Sequence, residues 1–273
     1  VICPVADLIY LPTPTLKMVA VELTNICNLK CKVCWSQNPK LHPPRPRGYM
    51  TTQTFTKIMD ELAGFNDLTV ALSYSGESML HPRFTELSRK ASKQGFKHLQ
   101  LATNGTCLNN KTIKVLAECY TQLAVSLHNT PLLPKIIRNT KRLHLAVEKS
   151  PSCVMRVNIV AEEFAPVEID KLVQMMYGHC NGMKVFNMIT EDMHDLSGRR
   201  KFEFCPPMFS YLGITWDGET VPCCHILSPG TFTLGNVVES SVERVFNGTQ
   251  YRNLRYGKVE GTPCEKCDVY MRK

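Results

Sequence analysis

Between residues 17 and 189 the apolar positions switch repeatedly between two periods. Runs rich in Val, Leu, Ile and Ala at 18–23, 69–73, 97–102, 123–127, 154–160 and 184–189 have the length and composition of buried strands. Between them, apolar residues recur at i, i+3, i+4 and i+7. Phe55, Ile58, Met59 and Leu62 form one such set, Ile113, Leu116, Ala117 and Tyr120 another, and Ile169, Leu172, Val173 and Met176 a third. That spacing draws an apolar stripe down one side of a helix. Local punctuation agrees: Thr51 or Thr52 can cap the first helix, Pro82 stands at the start of the second, and Gly178 follows the stripe that ends at Met176. Six strands alternating with helices predict an α/β fold, a partial (β/α)6 barrel built on a parallel sheet.

After about residue 195 the pattern breaks into short strands at 211–215 and 220–222, punctuated by Gly and Pro, and a helical region over 242–256. The expected division is therefore a barrel over 1–195 and a small extension over 196–273. A segment of that size builds little core of its own and calls for a staple.

Composition narrows the class. The 273 residues are 44% hydrophobic and 21% charged, as in a soluble globular protein, and no apolar run reaches the length of about 20 residues that spans a bilayer. The first fifteen residues lack the basic start and small-residue cleavage site of a signal peptide. A formal charge of +8 suits an anionic or leader-peptide substrate, is more commonly what solvated lysines and arginines give, and falls short of a nucleic-acid footprint.

The thirteen cysteines carry the chemistry. Cys27-x3-Cys31-x2-Cys34 follows the first strand, where barrel enzymes place their active sites, and supplies three thiolates. Cys205, Cys223 and the pair Cys264-x2-Cys267 supply four. Four thiolates close an iron–sulfur or zinc site, whereas three leave a metal position open. Spacings of this kind belong to metal sites in a reducing, cytoplasmic setting. A zinc knuckle at the first group would need a fourth ligand, and the nearest candidate, His42, lies in a proline-rich stretch.

The C-x3-C-x2-C run after strand one resembles the signature of the radical S-adenosylmethionine (SAM) superfamily, with Val33 where the family usually has an aromatic residue and Trp35 just after the third cysteine. The resemblance implies a 4Fe-4S cluster on Cys27, Cys31 and Cys34 that binds SAM and cleaves it to a 5′-deoxyadenosyl radical. It implies an external electron donor such as flavodoxin or ferredoxin. Tyr74-Ser75-Gly76-Glu77-Ser78 resembles the family's Gly-Gly-Glu-Pro motif, so Gly76 and Glu77 are expected at the SAM ammonium. Asn104, Ser126 and Arg156-x-Asn158 stand at strand positions that contact SAM in the family. Arg156 is expected at the methionine carboxylate, Ser126 and Asn158 at carboxylate or ribose, and 185–189 against adenine. Turn formation and ordinary buried polar pairing are the alternative readings of these residues.

The second cysteine group, with Gly218 and Leu234-Gly235-Asn236-Val237, resembles the SPASM extension in its shortened Twitch form, which implies a second 4Fe-4S cluster. Cys224 adjoins Cys223 and reads as the true ligand, an inert neighbour or a thiol facing the radical. As a hydrogen-atom donor it would make the chain an epimerase. Dehydrogenation of a secondary alcohol in a cyclitol- or aminoglycoside-like substrate, with the second cluster as electron acceptor, is the alternative. Its candidate bases are Tyr74, His128, Glu162, Glu163 and His225. The loop 36–49, with Arg45 and Arg47, is expected either to cover the barrel mouth or to lie in solvent. Peptide modification and a non-enzymatic, zinc-stapled binding protein complete the set.

Overall fold

A computed structural model of the chain describes residues 13–31, 34, 36, 45–150, 152–186, 205–224 and 232–266. Strands β1 (Met18–Val21), β2 (Thr69–Ala71), β3 (His98–Thr103), β4 (Gln122–Leu127), β5 (Val154–Val160) and β6 (Gly182–Phe186) alternate with helices. The helices are α1 (Thr52–Leu62), α2 (Phe84–Ser92), α3 (Asn110–Cys119), α4 (Leu133–Val147) and α5 (Pro166–Met176). Beyond them lie α6 (Pro207–Ser210), β7 (Tyr211–Ile214), β8 (Thr220–Val221), α7 (Val242–Phe246) and α8 (Thr249–Arg255). The six strands run parallel in sequence order, as the alternation predicts.

The stripes become the helix–sheet interface. Thr51 caps α1 by accepting from Thr54 N, and Phe55, Ile58, Met59 and Leu62 are all buried. Asn109 caps α3 in a reciprocal box with Thr112, and α5 starts on Pro166. These side chains pack on Val19, Val70, Leu101, Val125, Val157 and their neighbours. Each fully buried aliphatic or Phe side chain is worth about 1.5–3 kcal/mol. The alternate strand positions form the other face of the sheet. On β3 to β6 this open face carries Gln100, Gln122, Ser126, Arg156, Asn158 and Lys184; on β1, β2 and β7 it is closed by Ala20, Ala71 and Tyr211 with Met18 and Tyr74.

β7 joins the barrel sheet directly, pairing parallel to β1 from Met18↔Tyr211 to Val21↔Ile214, and β8 adds antiparallel to it, so the sheet has eight strands in the order β6-β5-β4-β3-β2-β1-β7-β8. The segment 187–189 and the residues Val33, Trp35, His42, His225 and Cys267 lie outside the described residues.

Candidate functional site

β1 ends at Val21, and Glu22 to Thr24 leave the ladder to organise the loop that carries the first cysteines. Thr24 Oγ1 donates to Gly48 O at 2.6 Å and accepts from Ile26 N at 3.1 Å. Asn25 holds the returning chain through Pro46 O and Gly48 N. From below, Glu77 N donates to Ile26 O at 2.8 Å. Gly76, at φ +70°, lies so close that a β-carbon there would sit 2.5 Å from Thr24 O. Its lack of a side chain thus serves the packing of one loop against another.

Cys27, Cys31 and Cys34 are half-buried thiols on this loop. Burial pushes the Cys27 thiol up, with Glu77 and Cys34 adding to it; burial, then Glu163, Cys34 and Cys27, push Cys31 up to about 12. Neighbouring thiolates thus oppose ionisation of Cys27 and Cys31, and a cationic centre reverses that balance. Asn104 Nδ2 lies 3.7 Å from Cys27 Sγ and donates to Asn28 Oδ1 at 3.1 Å, while Thr106 ties Asn28 and Asn104 together.

The Glu77 carboxylate is buried and receives Asn104 N (2.8 Å), Thr103 Oγ1 (2.9 Å) and Met79 N (3.3 Å). Burial raises its pKa against the pull of those donors. Ser126 is half-buried and stands opposite Asn158 in the β4–β5 register. Asn158 is nine-tenths buried, and its Oδ1 has no hydrogen-bond partner among the described residues. Arg156 lies two positions away on the same face and is exposed.

His128, Glu163 and Cys31 meet at one corner. His128 Nδ1 and Glu163 Oε1 are 3.0 Å apart, and Asn129 N donates to Glu163 Oε2 at 2.7 Å. Burial acts to raise the Glu163 carboxyl, but the bonds from His128 and Asn129 outweigh it and hold the group low. Glu162 is exposed beside this pair.

In the second group Cys205 and Cys264 are buried and Cys223 is half-buried. Tyr251, whose hydroxyl donates to Tyr211 O at 2.8 Å, feels the charge of both Cys223 and Cys264. Cys224 is exposed, with its thiol raised by the protein around it. Tyr74 and Tyr211 are raised mainly by burial, and both feel Cys223 and Cys224. These two tyrosines close the β1–β2–β7 side of the open face, so Cys223 and Cys224 act on that side of the sheet.

Glu22 is absent from any reading of the sequence above, although an acid ending an apolar strand was its signal. Its carboxylate is fully buried and accepts from Arg45 Nη2 (3.0 Å), Trp216 N (3.1 Å) and Ser75 Oγ. Arg45 therefore belongs to a clasp that also reaches Asp217 at 3.7 Å, while Arg47 is exposed.

The radical SAM superfamily profile matches residues 21–145, and the SPASM iron–sulfur cluster-binding domain matches 205–268. The chain is a radical SAM enzyme with a SPASM domain. Its first domain implies a 4Fe-4S cluster and SAM, its second an auxiliary iron–sulfur cluster. The Cys27 and Cys31 thiols, both raised in part by a neighbouring cysteine, and the unpartnered Asn158 oxygen fit such occupants. It is 24% identical, over 88% of this chain and 83% of the relative, to the tungsten-containing aldehyde ferredoxin oxidoreductase cofactor-modifying protein of Pyrococcus furiosus. To the antilisterial bacteriocin subtilosin biosynthesis protein AlbA of Bacillus subtilis it is 25% identical over 85% of this chain, which spans 60% of that protein. Among solved structures, Streptococcus suis SuiB bound to precursor peptide SuiA superposes with a TM-score of 0.71 at 15% identity, covering 94% of this chain and 70% of SuiB. BtrN in complex with AdoMet and 2-DOIA superposes at 0.62 and 14% identity, covering 94% and 92%. No described helix of this radical SAM enzyme is long and apolar enough to cross a membrane.

Proposed function

We propose that this radical SAM enzyme inverts a carbon centre, with Cys224 returning a hydrogen atom to the face opposite the one that lost it. The observation that carries this reading is the exposed Cys224 thiol beside the two tyrosines that close the open face. When bound, the first cluster and SAM supply a reductively generated oxidant strong enough to take hydrogen from an unactivated C–H bond. In this reading residues 1–195 serve SAM and 196–273 the auxiliary cluster, with Cys205, Cys223, Cys264 and Cys267 as its ligands.

The chain's own groups bind and orient. Gly76 and Glu77 shape the turn whose carbonyls receive the SAM ammonium, and Asn104 steadies the Cys27 side of the loop. Arg156 pairs with the methionine carboxylate, while Ser126 and the open acceptor of Asn158 take ribose or amine donors. One hydrogen leaves the substrate and one returns from the Cys224 S–H bond, so the substrate keeps its oxidation level. The sulfur is left short of one electron and one proton, which a low-potential donor such as flavodoxin or ferredoxin and solvent restore. The SuiB and AlbA names favour a peptide substrate over a cyclitol- or aminoglycoside-like one. The thiol-rich chain and its clusters suit a reducing, cytoplasmic setting.

Dehydrogenation is the second reading, since a second cluster closed by four cysteines can accept the electron that a substrate radical gives up. Anaerobic turnover of candidate peptides and aminocyclitols with dithionite in deuterated water separates the two. Epimerisation adds one deuterium at constant oxidation level; dehydrogenation removes two mass units. In Cys224→Ala, SAM cleavage is expected to persist while deuterium incorporation disappears, and incorporation that survives the substitution removes Cys224 from the reaction.

A further inference from the structure

Cys31 comes from the loop after β1, His128 from the end of β4 and Glu163 from the turn after β5. One ligand atom from each lies within 4.8 Å of the other two. The His128 and Glu163 side chains are only 14% and 8% exposed, so the corner is shielded without being sealed. It is also braced: Asn129 N donates to Glu163 Oε2 at 2.7 Å and Asn129 Nδ2 donates to Glu163 O at 2.9 Å, which fixes the carboxylate toward His128 Nδ1. Outer partners of this sort pre-orient metal ligands.

We propose that in the cluster-free chain Cys31, His128 and Glu163 form a site for a single divalent metal of the zinc class, and that its occupation excludes the first iron–sulfur cluster. The donor set is one sulfur, one nitrogen and one oxygen. A thiolate disfavours magnesium and calcium, the imidazole suits a borderline ion, and three protein ligands plus a water complete a tetrahedron. Binding releases the Cys31 proton to solvent, and the ion keeps its oxidation state. The site borrows one cysteine of three, so metal and cluster compete for Cys31 while Cys27 and Cys34 are left without their partner. Loading order then decides which centre the chain carries.

The full-length chain, prepared without iron under anaerobic conditions, provides the test. Titration with Co2+ should fill two sites with sulfur-to-metal charge-transfer absorption, one on the four cysteines of the extension and one here, and the second should be lost in His128→Ala and in the nearly isosteric Glu163→Gln, and kept in Cys27→Ser. Zinc added before iron and sulfide should occupy both groups and cut the iron taken up from about eight per chain to nearly none. Glu163→Gln should recover about four irons per chain, the first cluster's share, in the presence of zinc, with thermal unfolding showing that the variant is folded. Loss of the second Co2+ site in Cys27→Ser would mean that the three cysteines capture the metal by themselves and would overturn the proposal. Equal Co2+ binding or equal zinc inhibition in Glu163→Gln and the natural chain would overturn it too.

Discussion

Gly76 and Gly178 share a φ of +70°, yet they differ in what surrounds them. A β-carbon at Gly76 would meet Thr24 O at 2.5 Å and Ile26 O at 2.8 Å; at Gly178 it would meet nothing within 4 Å. Gly178→Ala should therefore cost only backbone strain of about 1 kcal/mol. Gly76→Ala should cost about 2–4 kcal/mol and displace the cysteine loop, because backbone rather than a side chain stands in the way. Thermal unfolding gives the stabilities, and iron assay gives the second readout: Gly76→Ala is expected to lose the first cluster's share, and a full iron complement in that variant refutes the argument. The sequence pattern marked Gly76 through its Gly-Glu neighbourhood, but the approach that demands glycine joins residues some fifty positions apart. The Asn28–Asn104–Thr106 bonds were hidden for the same reason, since no local pattern reports which distant amide meets which loop.

At the scale of elements, the helix–sheet interface predicts how stability responds to alkali. Tyr120 ends α3 with its hydroxyl 2.8 Å from Ser88 of α2, and burial raises its pKa. Cys153 leads into β5, and burial pushes its thiol from 9.0 up to about 11. Above about pH 9 the unfolded chain loses the thiol proton that the folded chain keeps, so the unfolded state binds fewer protons and stability falls as pH rises. The share due to Cys153 grows until about pH 11 and amounts to at most about 3 kcal/mol. Cys153→Ala should flatten that part of the drop in urea unfolding measured under reducing, anaerobic conditions at pH 7, 9 and 11; parallel curves would assign the loss elsewhere. The interface itself was legible, because the 3.6-residue stripes of α1, α3 and α5 and the apolar runs encode local geometry. The place of β7 was not. A short run at 211–215 reads as a strand, but its parallel pairing with β1 joins segments nearly 200 residues apart, and hydrophobic alternation does not name a neighbour.

The molecule as a whole turns on Glu22, where both domains meet in one carboxylate. Arg45 belongs to the chain returning from the cysteine loop, Ser75 to the turn before Gly76, and Trp216 to the β7–β8 turn of the SPASM domain. Arg45 also approaches Asp217, and the Trp216 ring packs against Gly48, so the clasp is doubled by an ion pair and a ring contact. The Glu22 side chain is 0% exposed and that of Arg45 14%, which places the pair where removing one partner costs about 3–5 kcal/mol. Because the donors come from both domains, Glu22→Ala should loosen both cysteine sites together, unlike Gly76→Ala, whose clash lies in the first loop alone. Iron release to a chelator from the reconstituted protein reads this directly. The natural chain should give up its two clusters at separate rates, Gly76→Ala should leave the second cluster's rate unchanged, and Glu22→Ala should accelerate both. Acceleration of a single cluster in Glu22→Ala would confine the clasp to one domain. Arg45→Met offers the converse control: it strands the Glu22 charge, so it should accelerate both releases as strongly, and adding Glu22→Gln to it should recover part of the loss by removing that uncompensated charge.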